Sequence, residues 1–145
     1  MSLYYRSGVF YQPDEIILAG NWGRVIRAHG SRHSNFFREQ LYESIRAADL
    51  GDRPSRMTCS FAFEAETIAR SFNNAMAPLL YRVEIDDQAA PTFRADMSWI
   101  DVLTRGSNAF DEALEVARHY WRGDTHGNQW EILAASGLRV EALLG

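Results

Sequence analysis

The sequence contains no lysine, so all fifteen of its cationic side chains are arginines. This excludes Schiff-base chemistry, a lysine general base and a P-loop, whose motif ends in GK[ST]. The single cysteine, Cys59, excludes an internal disulfide. No apolar run approaches the roughly 20 residues that span a bilayer, and the start, MSLYYRSG, lacks the basic and apolar regions of a signal peptide. We expect a cytoplasmic protein without a membrane partner, although export by a signal-independent route would leave the same pattern.

The composition is that of a folded globular protein. Of the 145 residues, 46% are hydrophobic and 23% are charged, which predicts one domain over residues 1–145 with its own core. Nineteen acidic residues against fifteen arginines give a net charge of -4. This balance disfavours diffuse binding to nucleic acid, although a local cluster of arginines could hold one phosphate group.

The hydrophobic pattern predicts an α+β fold, because short strand-like runs alternate with amphipathic helical segments. We expect strands at 3–6, 15–19, 56–63, 79–85, 130–133 and 138–143, and helices at 35–50, 64–75, 97–103 and 108–121. The helical spacing places Phe37, Ile45, Phe110 and Trp121 in the core. Strands near both ends of the chain must then pair with partners distant in sequence.

A metal site is not expected. His29 and His33 are four residues apart, but a glycine lies between them and no cysteine or second histidine pair is nearby. We interpret His119 and Cys59 as structural residues, since Cys59 falls inside a predicted strand, where a free cysteine is usually a small buried hydrophobe.

Three predicted strands carry polar groups where a binding site could form. Residues 6–8 (RSG) end the first strand with an arginine and a turn that lets the backbone approach a ligand. Thr58 and Ser60 are two residues apart, so both hydroxyls are expected on one face of a strand, and Gln129 and Glu131 repeat that spacing. Any one of these pairs fits an edge strand with polar residues facing outward. All three together favour a site.

These segments resemble the three-part pattern of ADP-ribosyltransferases. They read YYRSG at 4–8, SRMTCSF at 55–61 and QWEIL at 129–133. In the similar branch, an arginine on the first strand, a Ser/Thr-x-Ser strand and a Q/E-x-E strand form the site for nicotinamide adenine dinucleotide (NAD), in the same order along the chain. The segments at 80–85 and 131–140 are also similar to small bacterial rifampin-modifying transferases. Residues 38–56 are similar to a family of uncharacterised bacterial proteins with this fold.

The resemblance implies a single-domain ADP-ribosyltransferase-like fold, with two packed, mostly antiparallel sheets and flanking helices. It also implies an NAD-dependent mono-ADP-ribosyltransferase, which releases nicotinamide and moves ADP-ribose to an acceptor. A protein, a nucleic acid and a small molecule all remain open as that acceptor. A role as a toxin or effector is equally open, and so is the oligomeric state.

The resemblance also assigns roles to residues. Glu131 would stabilise the oxocarbenium-like ribose of the transition state, and Gln129 would help to choose the acceptor. Asp96 is the alternative acid, because the rifampin-modifying enzymes use an aspartate. His126 and Asn128 lie in the loop before these residues, which we expect to face the substrate. The resemblance implies cofactor binding by Arg6, Ser7, Arg56, Thr58, Ser60 and Phe61. The two arginines would bind the diphosphate, and the hydroxyl groups would orient the ribose or the acid. The phenylalanine ring would face the nicotinamide.

Other functions compete with this one. A catalytically inactive module of the same fold would bind a nucleotide or a protein. An RNA 2'-phosphotransferase-like enzyme shares the fold, but this chain is acidic. A glycosidase with Asp101 and Asp111 as its acids is the third alternative, and their predicted positions on helix surfaces favour solvated charge instead.

Overall fold

The computed structural model describes residues 1–72, 74–105 and 110–145. Over these residues the strands are β1 (Leu3–Ser7), β2 (Ile16–Ile17), β3 (Ser60–Phe63), β4 (Leu79–Ile85), β5 (Thr92–Asp96), β6 (Trp130–Ala134) and β7 (Leu138–Leu143). The α-helices are α1 (Asn21–His29), α2 (Phe36–Asp49), α3 (Glu66–Ser71), α4 (Ser98–Arg105) and α5 (Phe110–Arg122). The predicted α+β class is confirmed.

The described strands form one antiparallel sheet in the order β2-β7-β4-β1-β3-β6-β5. We expected two packed sheets, and the difference arises at β1. This strand pairs along its whole length with β4, and it also meets β3 at the position Tyr4↔Phe63. The half of the sheet that contains β2, β7, β4 and β1 is thereby joined to the half that contains β3, β6 and β5 through the pairing of Tyr4 with Phe63. The predicted long-range pairing of the terminal strands is confirmed, since β7 pairs with both β2 and β4.

The sheet has two hydrophobic cores, and strand β6 contributes to both. One core centres on β1, β4 and β7, with Leu3, Ile17, Tyr81, Val83, Leu138 and Val140, and it extends to Ala62 of β3 and Ile132 of β6. The core under α2, α4 and α5 includes Tyr42, Ile45, Tyr120, Trp121 and Leu133. In this second core the indole Nε1 of Trp121 donates a hydrogen bond of 2.8 Å to the carbonyl of Tyr42, which fixes α5 against α2. Helices α2, α4 and α5 therefore pack over β5 and β6, which contribute Ala95 and Leu133 to this core.

The strand expected at 56–63 is shorter than predicted, because residues 55–59 form a turn. The backbone N–H groups of Thr58 and Cys59 donate to the carbonyl of Ser55 at 3.1 and 2.9 Å. Thr58 is exposed and Ser60 is buried, so the prediction that their hydroxyls share one strand face is wrong.

Helix α1 packs against this turn and was not predicted. A Cβ atom at Gly23 would lie 1.7 Å from the carbonyl oxygen of Met57, so only glycine permits this approach. Gly20 adopts a φ of 91° immediately before the helix, in the left-handed region that favours glycine. The segment AGNWG predicts a turn because both glycines fit one. In the structure, Gly20 instead immediately precedes the helix, and Gly23 allows the helix to pack against the turn.

The later turns of each long helix pack as predicted, but the first turn does not. Ile45 and Trp121 are buried, whereas Phe37 and Phe110 are each 71% exposed. The buried residues of α2 begin at Glu39 and those of α5 at Val116, so the first turn of each helix extends beyond the core. The predicted start of α5 at Asn108 lies outside the described residues.

No helix in the described part of the chain is both long enough and apolar enough to cross a membrane.

Candidate functional site

A cleft of about 760 Å³ lies where the two halves of the sheet meet. This volume falls within the roughly 300–1,000 Å³ of small-molecule and cofactor sites. Strands β1, β3 and β6 are neighbours in the sheet, and all three reach the cleft. The three segments singled out in the sequence therefore meet at one cavity.

The cleft contains some of the predicted site residues and leaves others out. Those that line it are Arg6, Arg56, Phe61, Gln129 and Glu131, together with Asp101 of the glycosidase alternative. Those that do not are Ser7, Thr58, Ser60, Asp96, His126 and Asn128.

Glu131 is held by one of its two carboxylate oxygens. It lies on β6, with Phe63 of β3 paired on one side and Ala95 of β5 on the other. Its Oε1 accepts hydrogen bonds from the Tyr120 hydroxyl at 2.6 Å and from Nη1 of Arg56 at 3.0 Å. No described residue donates a hydrogen bond to Oε2. The side chain lines the cleft, so Oε2 is the oxygen available to a ligand.

Arg56 lies between two buried carboxylates. Its Nε donates to Oε2 of Glu39 at 2.9 Å and its Nη2 donates to Oε1 at 3.0 Å, a two-pronged arrangement. Its Nη1 reaches Glu131 and the Tyr120 hydroxyl, and its guanidinium carbon is 4.7 Å from the centre of the Phe61 ring. The sequence predicts that Arg56 grips a diphosphate. In the structure its guanidinium is engaged by protein carboxylates.

The two carboxylates around Arg56 have opposite pKa shifts. Burial by itself would raise the pKa of Glu39, but the guanidinium groups of Arg56 and Arg38 lower it to about 2. Burial also raises the pKa of Glu131, and there the Arg56 charge and the Tyr120 hydroxyl offset it only in part. Glu39 is therefore firmly ionised, whereas the ionised form of Glu131 is disfavoured by its surroundings.

Arg6 lines the cleft but also supports its wall. Its Nε donates to the carbonyl of Ala77 at 3.0 Å, and its Nη1 donates to that of Ala69 at 3.2 Å. A longer contact of 3.4 Å joins Nη2 to the carbonyl of Pro78. Arg6 thus connects β1 to the end of α3 and to the segment before β4. Three of the five N–H groups of a guanidinium take part in these contacts.

Asp96, the alternative acid, organises the loop before β6. It is fully buried, and its carboxylate accepts hydrogen bonds from the backbone N–H groups of His126 and Asn128, both at 2.8 Å, and of Gln129 at 3.1 Å. Burial would raise its pKa, but these hydrogen bonds and those from Ser98 lower it. Because Asp96 does not line the cleft, the geometry favours Glu131 as the acid of this site.

The loop residues His126 and Asn128 are held by the protein. The His126 ring lies 4.3 Å from that of Trp99, and its Nδ1 is 2.9 Å from Oγ of Ser98. Since Ser98 donates its only hydroxyl hydrogen to Asp96, Nδ1 of His126 is the donor in this contact. Asn128 has a left-handed φ of 59°. The loop predicted to face the substrate is thus held in place by hydrogen bonds with Asp96 and Ser98.

The hydroxyl groups expected around Glu131 have other partners. Ser60 donates a hydrogen bond of 2.6 Å to the carbonyl of Ser136. Ser7 accepts one of 2.9 Å from the backbone N–H of Val9. With Thr58 exposed in the turn, neither hydroxyl of the Thr-Cys-Ser segment contacts Glu131.

Sequence reasoning missed several residues of the site. Trp22, His33, Asn35 and Arg38 also line the cleft, and Glu39 and Tyr120 lie behind it. One signal was readable, because Glu39 precedes Tyr42 by three residues and Ile45 by six, which places a carboxylate on a buried helix face. A carboxylate at such a position requires a buried cation.

Among the residues that the structure describes, no group of three or more His, Cys, Asp or Glu side chains is placed so that it could hold a metal ion.

The comparison with protein families shows which family this chain is similar to. A family described as "Protein of unknown function (DUF2441)" matches residues 11–142. That segment includes Glu39, Arg56, Tyr120 and Glu131, whereas Arg6 lies just before it. Among curated proteins, no match was found. Because the match covers most of the chain, the chain belongs to the DUF2441 family.

Proposed function

We propose that this chain is an NAD-dependent mono-ADP-ribosyltransferase that cleaves the bond between nicotinamide and ribose and transfers ADP-ribose to an acceptor. One observation carries the proposal. Strands β1, β3 and β6, which bear the three segments similar to ADP-ribosyltransferases, are adjacent, and they contribute Arg6, Phe61 and Glu131 to a single cleft.

The position of Glu131 suits the charge that develops in this reaction. As the bond to nicotinamide breaks, positive charge forms on the ribose, and a fixed carboxylate nearby lowers the energy of that state. Oε1 of Glu131 is held by Arg56 and Tyr120, while Oε2 remains for the sugar. A carboxylate fixed before the substrate arrives needs little reorganisation during the reaction.

The rest of the cleft suits the other parts of NAD. Arg6 and Arg38 line it as cations for the diphosphate, since a guanidinium matches phosphate oxygens with paired N–H donors. Aromatic rings of Tyr5, Trp22 and Phe61 offer faces for the two ring systems of the dinucleotide. Both kinds of group are needed for a ligand that joins two heterocycles through a charged link.

Gln129 is the residue that we assign to the acceptor. It lies two positions before Glu131 and lines the same cleft. Its amide presents both a donor and an acceptor of hydrogen bonds, so it can orient an uncharged nucleophile near the ribose.

A nucleotide-binding module without catalysis is the second candidate. It is favoured by the contact of Ser60 with Ser136, because the hydroxyl expected to orient the ribose or the acid is then occupied by the protein. Such a module would bind NAD and release no nicotinamide.

The test measures nicotinamide release from NAD by the purified protein and by two variants. Glu131→Gln keeps the size of the side chain and removes its charge, and we expect release to fall about 10²- to 10³-fold. Glu141→Gln is the matched control. Glu141 lies on β7, pairs with Arg82 of β4 and does not line the cleft, so the rate of this variant should equal that of the wild type.

Equal rates for the wild type and Glu131→Gln would overturn the assignment of Glu131. Calorimetry on the same samples separates the two candidates. Binding of NAD without nicotinamide release supports the non-catalytic module, and the absence of binding contradicts both.

A further inference from the structure

The three-way contact among Arg56, Tyr120 and Glu131 has a role beyond neutralising charge. We propose that Arg56 and Tyr120 are positioning residues that hold Oε1 of Glu131 so that Oε2 faces the ligand, and that Glu39 governs how strongly Arg56 engages Glu131. The inference rests on the proposed function for its effect on turnover. The contact itself can be tested without it.

Arg56 is a rigid support for this carboxylate. Its side chain is 7% exposed, and Glu39 accepts hydrogen bonds from both its Nε and its Nη2. The ring centres of Phe61 and Tyr120 lie 4.7 and 5.2 Å from its guanidinium carbon. A guanidinium fixed in this way presents Nη1 to Glu131 in one direction only.

The Tyr120 hydroxyl makes the second contact with Oε1 of Glu131. It is fully buried on α5, where its hydroxyl accepts a hydrogen bond of 2.6 Å from Nη1 of Arg56 and donates one of 2.6 Å to Oε1 of Glu131. A tyrosine hydroxyl has one hydrogen, and here Glu131 receives it. Both donors therefore converge on a single oxygen and leave the second one to the cleft.

A purely structural network does not need Glu131. Glu39 already gives Arg56 a buried counter-charge through two hydrogen bonds. Burying a second carboxylate costs desolvation free energy, which the shared Arg56 offsets only in part. A role of Glu131 toward a ligand in the cleft explains why a second buried carboxylate is present there despite this cost. Ser60, which the sequence indicated for this support, donates to Ser136 instead.

The surroundings of Glu131 predict how each contact changes its ionisation. The titratable or charged groups that face it are Arg56 before β3, Cys59 in the same turn, Tyr120 on α5, and Glu39 and Tyr42 on α2. The Tyr120 hydrogen bond lowers the pKa of Glu131, and the Glu39 charge raises it. Loss of the hydroxyl should therefore raise this pKa, and loss of the Glu39 charge should lower it.

The experiment compares Tyr120→Phe with Tyr42→Phe. Both tyrosines are fully buried in one core with ring centres 5.0 Å apart, but the Tyr42 hydroxyl contacts the carbonyl of Trp99 instead of Glu131. For Tyr120→Phe we expect kcat for nicotinamide release to fall about 10- to 100-fold, because the acid is less well oriented. We also expect an unchanged KM for NAD and an acidic limb of the pH profile that moves to higher pH. Tyr42→Phe should leave all three values unchanged.

Carbon-13 titration of the Glu131 carboxyl group gives a readout that does not depend on turnover. The signal is assigned by its absence in Glu131→Gln. The pKa should rise in Tyr120→Phe, fall in Glu39→Gln and stay constant in Tyr42→Phe. Identical behaviour of the two tyrosine variants would overturn the proposal, as would shifts of the same sign in Tyr120→Phe and Glu39→Gln. If the wild type releases no nicotinamide, the proposed function fails, and this titration still decides the positioning role.

Discussion

Arg56 holds two carboxylates that have different surroundings. Glu39 is fully buried on α2, and both its oxygens accept hydrogen bonds from arginine. Glu131 is 8% exposed on β6 and is held by one oxygen at the wall of a cleft. The pKa of Glu39 is lowered to about 2, whereas that of Glu131 is raised. One cation thus serves an acid that stabilises the fold and an acid that remains available to a ligand.

The opposite pKa shifts of the two acids follow from how many of their carboxylate oxygens accept hydrogen bonds. A buried carboxylate is stable only when charge and hydrogen bonds compensate for its lost hydration. At Glu39 the compensation is complete, because Arg56 and Arg38 both contribute. At Glu131 it is incomplete on the side that faces the cleft. A bound cation or a positively charged transition state would complete it.

The largest expected effect is on stability, and it distinguishes the two acids. Glu39→Gln should lower the free energy of unfolding by about 3 kcal/mol at pH 7, because it removes the carboxylate that accepts hydrogen bonds from both Nε and Nη2 of the buried Arg56. Glu131→Gln should unfold at the same denaturant concentration as the wild type or a higher one, since the ionised form of Glu131 is disfavoured in the folded state. Urea unfolding of the three proteins measures both values.

The pH dependence of the same unfolding curves gives the control. Because folding lowers the pKa of Glu39, its contribution is fully present above its unfolded pKa of about 4.5 and is lost as the pH falls toward about 2. The wild type should lose stability over that window, and Glu39→Gln should lose less. Similar stability losses in Glu39→Gln and Glu131→Gln at pH 7 would remove the distinction between the two acids.

A smaller effect tests which groups support Glu131. Ser60→Ala should lower the free energy of unfolding by about 1 kcal/mol, because it removes a buried hydrogen bond to Ser136. Thr58→Ala, at an exposed position two residues earlier, should change it by less than about 0.5 kcal/mol. Neither variant should alter the pH profile of nicotinamide release, which calorimetric unfolding and the release assay can check together. A shifted acidic limb in Ser60→Ala would restore Ser60 as a support of the acid.

Local periodicity predicted much of the fold. The alternation at 79–85 gave β4, the helical spacing at 35–50 gave α2, and the strands at 130–133 and 138–143 correspond to β6 and β7. Elements without a strong local pattern were missed. Helix α1 contains Gly23, which is needed for contact with Met57, and β5 is a short edge strand with polar residues. Both depend on contacts between segments distant in sequence.

The site was predictable where it follows from strand spacing and not where it depends on tertiary pairing. Gln129 and Glu131 share a strand-like spacing, and both line the cleft. The partners of Arg56 are 17 and 75 residues away along the chain, so its sequence position gives no sign that protein carboxylates occupy it. Asp96 has a lowered pKa because it binds a loop about thirty residues later, which is equally invisible to local pattern.

The most direct test measures the pKa values of Glu39 and Glu131 with and without a non-cleavable carbocyclic analogue of NAD. We expect the cationic nicotinamide ring to lower the pKa of Glu131, because the ring supplies a positive charge beside Oε2, and to leave the pKa of Glu39 unchanged. Carbon-13 titration of the wild type reports both groups, assigned by Glu131→Gln and Glu39→Gln. A pKa of Glu131 that does not respond to a saturating concentration of the analogue would show that Oε2 of Glu131 does not face the bound dinucleotide.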